Sequence, residues 1–74
     1  MLDKLKDAIV NFEEEKAAAL VQEAASKKVP LGEILGSISA ALEEVGRRYE
    51  SHEYFLAELM MCGETAKKAI ALLR

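Results

Sequence analysis

The sequence predicts an all-α fold, a compact four-helix bundle with short connections, and three observations carry that prediction. Ala, Leu, Glu and Lys dominate the chain, residues that lose little side-chain freedom in a helix. β-branched residues are few and scattered, so no stretch reads as a strand. Apolar residues recur at three- and four-residue spacing along four stretches separated by short polar or proline-marked breaks.

In the first stretch Leu2, Leu5, Ala8, Ile9 and Phe12 form one apolar stripe. Asn11 then stands where it can cap a second helix, with Glu14 three residues on in the reciprocal position. Glu13, Glu14 and Glu15 place negative charge at that helix's positive end, and Lys27 and Lys28 suit the other end. Its stripe is Ala17, Leu20, Val21, Ala24 and Ala25, small residues that admit a close neighbour. Val29-Pro30 is the clearest break, because proline cannot donate to the preceding turn yet fits the first position of a new helix.

The third stretch carries Ile34, Leu35, Ile38, Ala41, Leu42, Val45 and Tyr49 along one face. Gly32, Gly36 and Gly46 lie inside it, each costing about 1 kcal/mol against alanine, which points to close backbone approaches. Glu50 to Glu53 reads as a turn with Ser51 as a cap. A fourth helix then runs from Tyr54 to Leu73 with Phe55, Leu59, Cys62, Ala66, Ala69, Ile70 and Leu73 as its core stripe. Short links of this kind favour antiparallel neighbours.

Seventy-four residues make one domain, at a size where an apolar core alone rarely supplies more than about 3–5 kcal/mol. The net charge of −3 argues against an electrostatic hold on nucleic acid or anionic lipid, and the basic pairs Lys27-Lys28 and Arg47-Arg48 each sit among acidic residues. No apolar run approaches the ~20 residues of a membrane span. One cysteine cannot form an internal disulfide, and the opening residues interleave charge with apolar side chains, so a cytoplasmic location is expected.

Catalytic and metal chemistry find no constellation. His52-Glu53 begins a His-Glu-X-X-His pattern, but Leu56 occupies the second histidine position. Cys62 has no second ligand at metal spacing and falls on the buried stripe. Glu13–Glu15 and Glu43–Glu44 are adjacent in sequence and diverge on a helix, so they are not paired general acid–base groups.

What exceeds an ordinary bundle is the start of the fourth helix. Tyr54 to Met61 carries one charge in eight residues, and at 100° per residue Leu56 and Met60 project away from the Phe55–Leu59–Ala66 line. Either the small core wraps around this segment, or it is a bare face for a cofactor, a domain or a partner chain.

The stretch Val45-Gly46-Arg47-Arg48-Tyr49-Glu50-Ser51-His52-Glu53-Tyr54-Phe55-Leu56-Ala57-Glu58-Leu59 resembles the helical cap domain of corrinoid-dependent methyl-transfer proteins. That family includes the cobalamin-binding region of methionine synthase and the small corrinoid carriers of methylamine and methanol methyltransferase systems. Its pattern is Val-Gly, an aromatic three residues on, an acidic glycine-containing turn, then Phe-Leu-Pro-Glu. Val29-Pro30-Leu31-Gly32-Glu33-Ile34-Leu35 resembles the family's third-helix start, and the opening helices agree more loosely. Two positions depart from the pattern: Ala57 stands in place of proline and His52 in place of glycine.

The resemblance implies a non-catalytic module that precedes an α/β corrinoid-binding domain and shields the upper, methyl-bearing face of cobalamin until a cognate methyltransferase docks. It implies Phe55 as the residue at that face, with Leu56, Leu59 and Met60 extending the same wall. The family's lower cobalt ligand lies in an Asp-X-His-X-X-Gly loop of the α/β domain, and that motif is absent here. Cobalamin is therefore expected only in the context of the α/β domain, with none bound by this chain alone. Isolated, the chain is expected to be a homo-oligomer. The competing reading is a stand-alone interaction or homodimerising bundle with no cofactor.

Overall fold

The computed structural model describes residues 2–73 and contains four helices, α1 (Leu2–Val10), α2 (Glu14–Ser26), α3 (Leu31–Glu50) and α4 (Leu56–Ala71), with no strand among the described residues. The break at Val29-Pro30 divides α2 from α3 as the sequence predicts. Pro30 sits one place earlier than expected, as the N-cap rather than the first helical residue. α1 lies against all three other helices, and a connection of three to five residues joins each helix to the next. No helix among the described residues is long and apolar enough to cross a membrane.

The core is made of small side chains. Leu5, Ile9, Val21, Ile34, Ile38 and Val45 supply its bulk, and alanines at 8, 17, 24, 41, 66 and 69 fill the contacts between helices. Among the described residues no aromatic side chain is fully buried. The expected stripes are therefore too wide. Leu35, Leu42 and Tyr49 of α3 and Ala25 of α2 border the buried face but remain exposed, because an interface closed by alanines is narrow. Phe12 and Phe55, both read as core, are exposed, and Thr65 is buried in their stead. Thr65 is tolerated there because its hydroxyl donates to the Met61 carbonyl at 3.0 Å.

One backbone device closes α1, α2 and α3. Phe12, Lys28 and His52 have φ of 47°, 60° and 68°. Each donates its N–H three residues back, to Ile9, Ala25 and Tyr49 at 3.0, 3.1 and 3.2 Å. The residue after each donates five back, to Ala8, Ala24 and Arg48 at 2.8, 3.0 and 2.8 Å. These are Schellman closures, which satisfy the carbonyls a helix end leaves orphaned.

The closures explain why the predicted caps fail. Asn11 still belongs to the end of α1, donating its N–H to Asp7 at 2.9 Å, so Glu13 becomes the N-cap of α2 and makes no side-chain capping bond. Ser51 likewise ends α3 instead of starting α4. The glycines lie elsewhere, inside α3 and α4. A Cβ added at any of them meets nothing within 4 Å, so the approaches expected at Gly32, Gly36 and Gly46 are not made within the chain.

Left-handed backbone at a residue with a Cβ costs free energy that glycine avoids. Lys28→Gly, at an exposed site, is expected to stabilise the fold by roughly 0.5–1 kcal/mol after the extra unfolded-state entropy of glycine is counted. Thermal unfolding followed by circular dichroism should show a Tm about 2–8 °C higher. A Tm that falls would mean this turn carries no conformational cost.

Candidate functional site

The site begins at the end of α3. Ser51 donates its N–H to Arg47 at 2.9 Å, and its Oγ donates to the Arg48 carbonyl at 3.2 Å. That same carbonyl accepts the N–H groups of Glu53 and Tyr54 at 2.8 and 2.9 Å. With His52 left-handed, the chain reverses within one turn.

Tyr54 follows and turns inward. Its hydroxyl donates to the Val10 carbonyl at 2.7 Å and accepts from Arg48 Nη1 at 3.2 Å. The Arg48 guanidinium carbon lies 5.3 Å from the Tyr54 ring centroid, and the Phe12 ring stands 6.3 Å away at 59°. Arg48 is itself held by Glu44, with Nε to Oε2 at 3.1 Å. Hydrogen bonds from Arg47 and then Arg48 keep the Glu44 carboxyl below its ordinary pKa.

Phe55 is the N-cap of α4, with extended backbone (φ −103°, ψ −177°). Its N–H donates to Glu58 Oε1 at 3.3 Å. This is half of a capping box, since phenylalanine has no side-chain acceptor to complete it. The Phe55 ring is 64% exposed, Leu56 59% and Met60 63%. Leu56 and Met60, four residues apart, share one face of the helix. Leu59 is half-buried and packs on the core, which turns it partly away from the other three.

Of the four residues singled out from the sequence, Phe55, Leu56 and Met60 are exposed at the head of α4, and Leu59 packs on the core. Two hollows flank this helix start. One is lined by Tyr49, Glu50, His52, Tyr54, Phe55 and Leu56, and the other by Phe12, Met60, Met61 and neighbouring residues. Tyr49, read as core from its spacing, is half-exposed and belongs to the first hollow. The clue was its place at the very end of α3, beyond the reach of α1.

Among the described residues no group of three or more His, Cys, Asp or Glu could hold a metal ion. His52 is exposed in its turn. Cys62 is fully buried, its Sγ donates to the Val10 carbonyl at 3.4 Å, and burial pushes the thiol's pKa up. It is a packing residue with an inert thiol. The helix start thus presents an apolar surface beside the Tyr54 turn, which Arg48 and Glu44 brace.

Over residues 1–74 the sequence matches the family described as the B12 binding domain. The chain belongs to that family. It is the helical cap module that the stretch from Val45 to Leu59 resembles. It is 35% identical over 74 residues to monomethylamine corrinoid protein 1 of Methanosarcina barkeri, covering 99% of this chain and 34% of that protein. The dimethylamine corrinoid protein of the same organism is 30% identical, with 100% of this chain and 35% of the relative covered. A corrinoid protein of Desulfitobacterium hafniense is 34% identical over 99% of this chain and 34% of its own length. The module thus spans about a third of the length of the curated relatives it matches. No solved structure matches it.

Because the Phe55 ring is bare, Phe55→Ala should change stability by no more than about 0.5 kcal/mol. Ile38→Ala, in the buried stripe, should cost roughly 2–5 kcal/mol. Urea unfolding of the two variants beside the parent measures the contrast, and a Phe55 loss as large as that of Ile38 would make Phe55 ordinary core.

Proposed function

We propose that this cap module shields the upper face of a cobalamin held mainly by a separate α/β domain, within a methyl-transfer system. Phe55, Leu56 and Met60 form the wall and Leu59 backs it. The observation that carries this reading is the exposed helix start: Phe55, Leu56 and Met60, three large apolar side chains within the first turns of α4, are each more than half exposed. The relatives, each about three times as long, are named as corrinoid proteins, which supports a corrinoid as the group this face meets.

The residues fit such a group. A corrin ring is a broad, largely hydrocarbon surface with amide groups at its rim. The wall offers apolar contact at its centre, with Glu50 and His52 of the adjoining hollow at its edge. Phe55, Leu56, Leu59 and Met60 themselves carry no group that could ligate cobalt or donate a proton. When bound, the corrinoid supplies the cobalt that carries the methyl group.

The module's own side chains exclude water from that face, and the module swings aside when a methyltransferase docks. Its mechanism is desolvation and gating, without catalysis by its own groups. The system operates in the cytoplasm in this reading, where the buried Cys62 stays reduced.

The test is a chimera in which this module replaces the matching first third of the monomethylamine corrinoid protein. Loaded with cobalamin and reduced, the chimera should oxidise in air at least about tenfold more slowly than the α/β remainder alone, equivalent to roughly 1.4 kcal/mol of barrier. Phe55→Ala in the chimera should restore most of the fast rate. Equal rates with and without the module would end the shielding reading.

Without an α/β partner the same face is expected to pair with its own copy, the two-fold arrangement being the simplest closed one. Burying a leucine or methionine contributes about 1.5–3 kcal/mol, a large gain for a domain of this size. Sedimentation should therefore show the parent associating below about 100 micromolar, near −5.5 kcal/mol, and a Leu56→Glu/Met60→Glu variant monomeric there. A monomeric parent at that concentration would count against pairing through this face.

A further inference from the structure

We propose that Tyr54 is the positioning residue of the shielding face, its hydroxyl bond to the Val10 carbonyl holding Phe55 outward. Only the identity of what Phe55 meets rests on the cap reading above. Tyr54 lies in the bend after α3 and is half-buried, while Phe55, next in the chain, has extended backbone and an exposed ring. The backbone that Tyr54 anchors is the backbone that carries the Phe55 ring.

The inward hold is strong and comes from three segments. Val10 at the end of α1 accepts the hydroxyl at 2.7 Å, Arg48 of α3 donates to it at 3.2 Å and lies over the ring, and Phe12 packs beside it. Glu44 fixes Arg48 in turn at 3.1 Å. The Phe55 ring is 64% exposed, so its location depends chiefly on its backbone. On the far side, the Glu58 carboxylate holds the Phe55 N–H and sets the direction in which α4 leaves. The exposed aromatic is thus aimed by its neighbour.

Tyr54→Phe removes one hydroxyl and keeps the ring, so the fold should persist. In the 74-residue chain, amide hydrogen exchange read by NMR should quicken at residues 53–59 at least about tenfold more than at Ile9, Ile34 and Ile38. Equal quickening at all of these sites, or none at any, would overturn the proposal, because the bond would then be general stabilisation or dispensable.

In the cobalamin-loaded chimera, Tyr54→Phe should quicken oxidation of the reduced cobalt about as much as Phe55→Ala does, although Phe55 is intact. The double variant should be no faster than Phe55→Ala alone. If Phe55→Ala quickens oxidation and Tyr54→Phe does not, Tyr54 does not position the wall. If neither changes the rate, the shielding reading fails, and hydrogen exchange alone decides whether Tyr54 orders the turn.

Discussion

The arrangement turns on one carbonyl oxygen. Val10 ends α1, and its C=O is among the groups that a helix terminus leaves without an intrahelical donor. Val10 is nearly fully buried, so an unmet acceptor there would cost about 1–3 kcal/mol. Two side chains from the other end of the sequence satisfy it, the Tyr54 hydroxyl at 2.7 Å and the Cys62 thiol at 3.4 Å. A single acceptor therefore joins the end of α1, the turn after α3 and the second turn of α4. If this junction is lost, α4 keeps its alanine contacts, but its head loses its side-chain tie to the end of α1.

The junction matters because the core cannot do this work. Alanines let the helices approach closely, but each buries little apolar area, and hydrophobic stabilisation scales with area. The large side chains lie outside this narrow seam, which leaves Phe55, Leu56, Met60 and Met61 at the surface. In a larger domain they would be covered by a further layer. Here they stay at the surface, and the small core and the bare face are two results of the same packing choice. The exposed ion pair of Lys68 with Glu14, which links α4 to α2, adds little to this balance.

The fold class, the four elements and the proline break were legible in the sequence because each rests on a local signal: helix propensity, three-and-four spacing, a missing N–H. At the head of α4 the sequence left a wrapping core and a bare face both open, and Leu56 and Met60, which lie off any single stripe, are exposed. The helix ends were not. Asn11 and Ser51 carry side chains suited to capping, but the bonds that decide those ends are backbone to backbone, five residues apart, around a left-handed residue. Glycine advertises such a position, whereas Phe12 and Lys28 do not. His52 was the exception, because resemblance placed it where glycine is usual.

The widths of the stripes failed for another reason. Spacing tells which residues share a face, but how far that face is covered depends on the partner's side chains, and alanine covers little. Tyr49 and Phe12 fell outside the core on that account. Tyr54 was placed inside α4, yet it stands before the helix and belongs to the core through its hydroxyl as much as its ring. No periodicity detects a contact between Tyr54 and Val10, which are 44 positions apart.

A shielding surface has to present apolar groups to water until its partner arrives, and flexible apolar groups would collapse onto the nearest hydrophobic surface. Rigid mounting prevents that and lowers the ordering cost at the moment of contact. In the proposed shielding role, the two aromatic residues at the head of α4 divide this task. Tyr54 spends its ring and hydroxyl on internal contacts, and Phe55 spends almost nothing internally. A tyrosine suits the inward place because it has both an apolar body and a donor for the orphan carbonyl. For the proposed role a phenylalanine suits the outward place, because any polar atom there would bring water to the shielded surface. Exchanging the two residues would leave the composition unchanged while removing the donor from Val10 and placing a hydroxyl on the wall. Under the proposed shielding role, the order Tyr-Phe is a physical requirement of the site as much as a feature of the sequence.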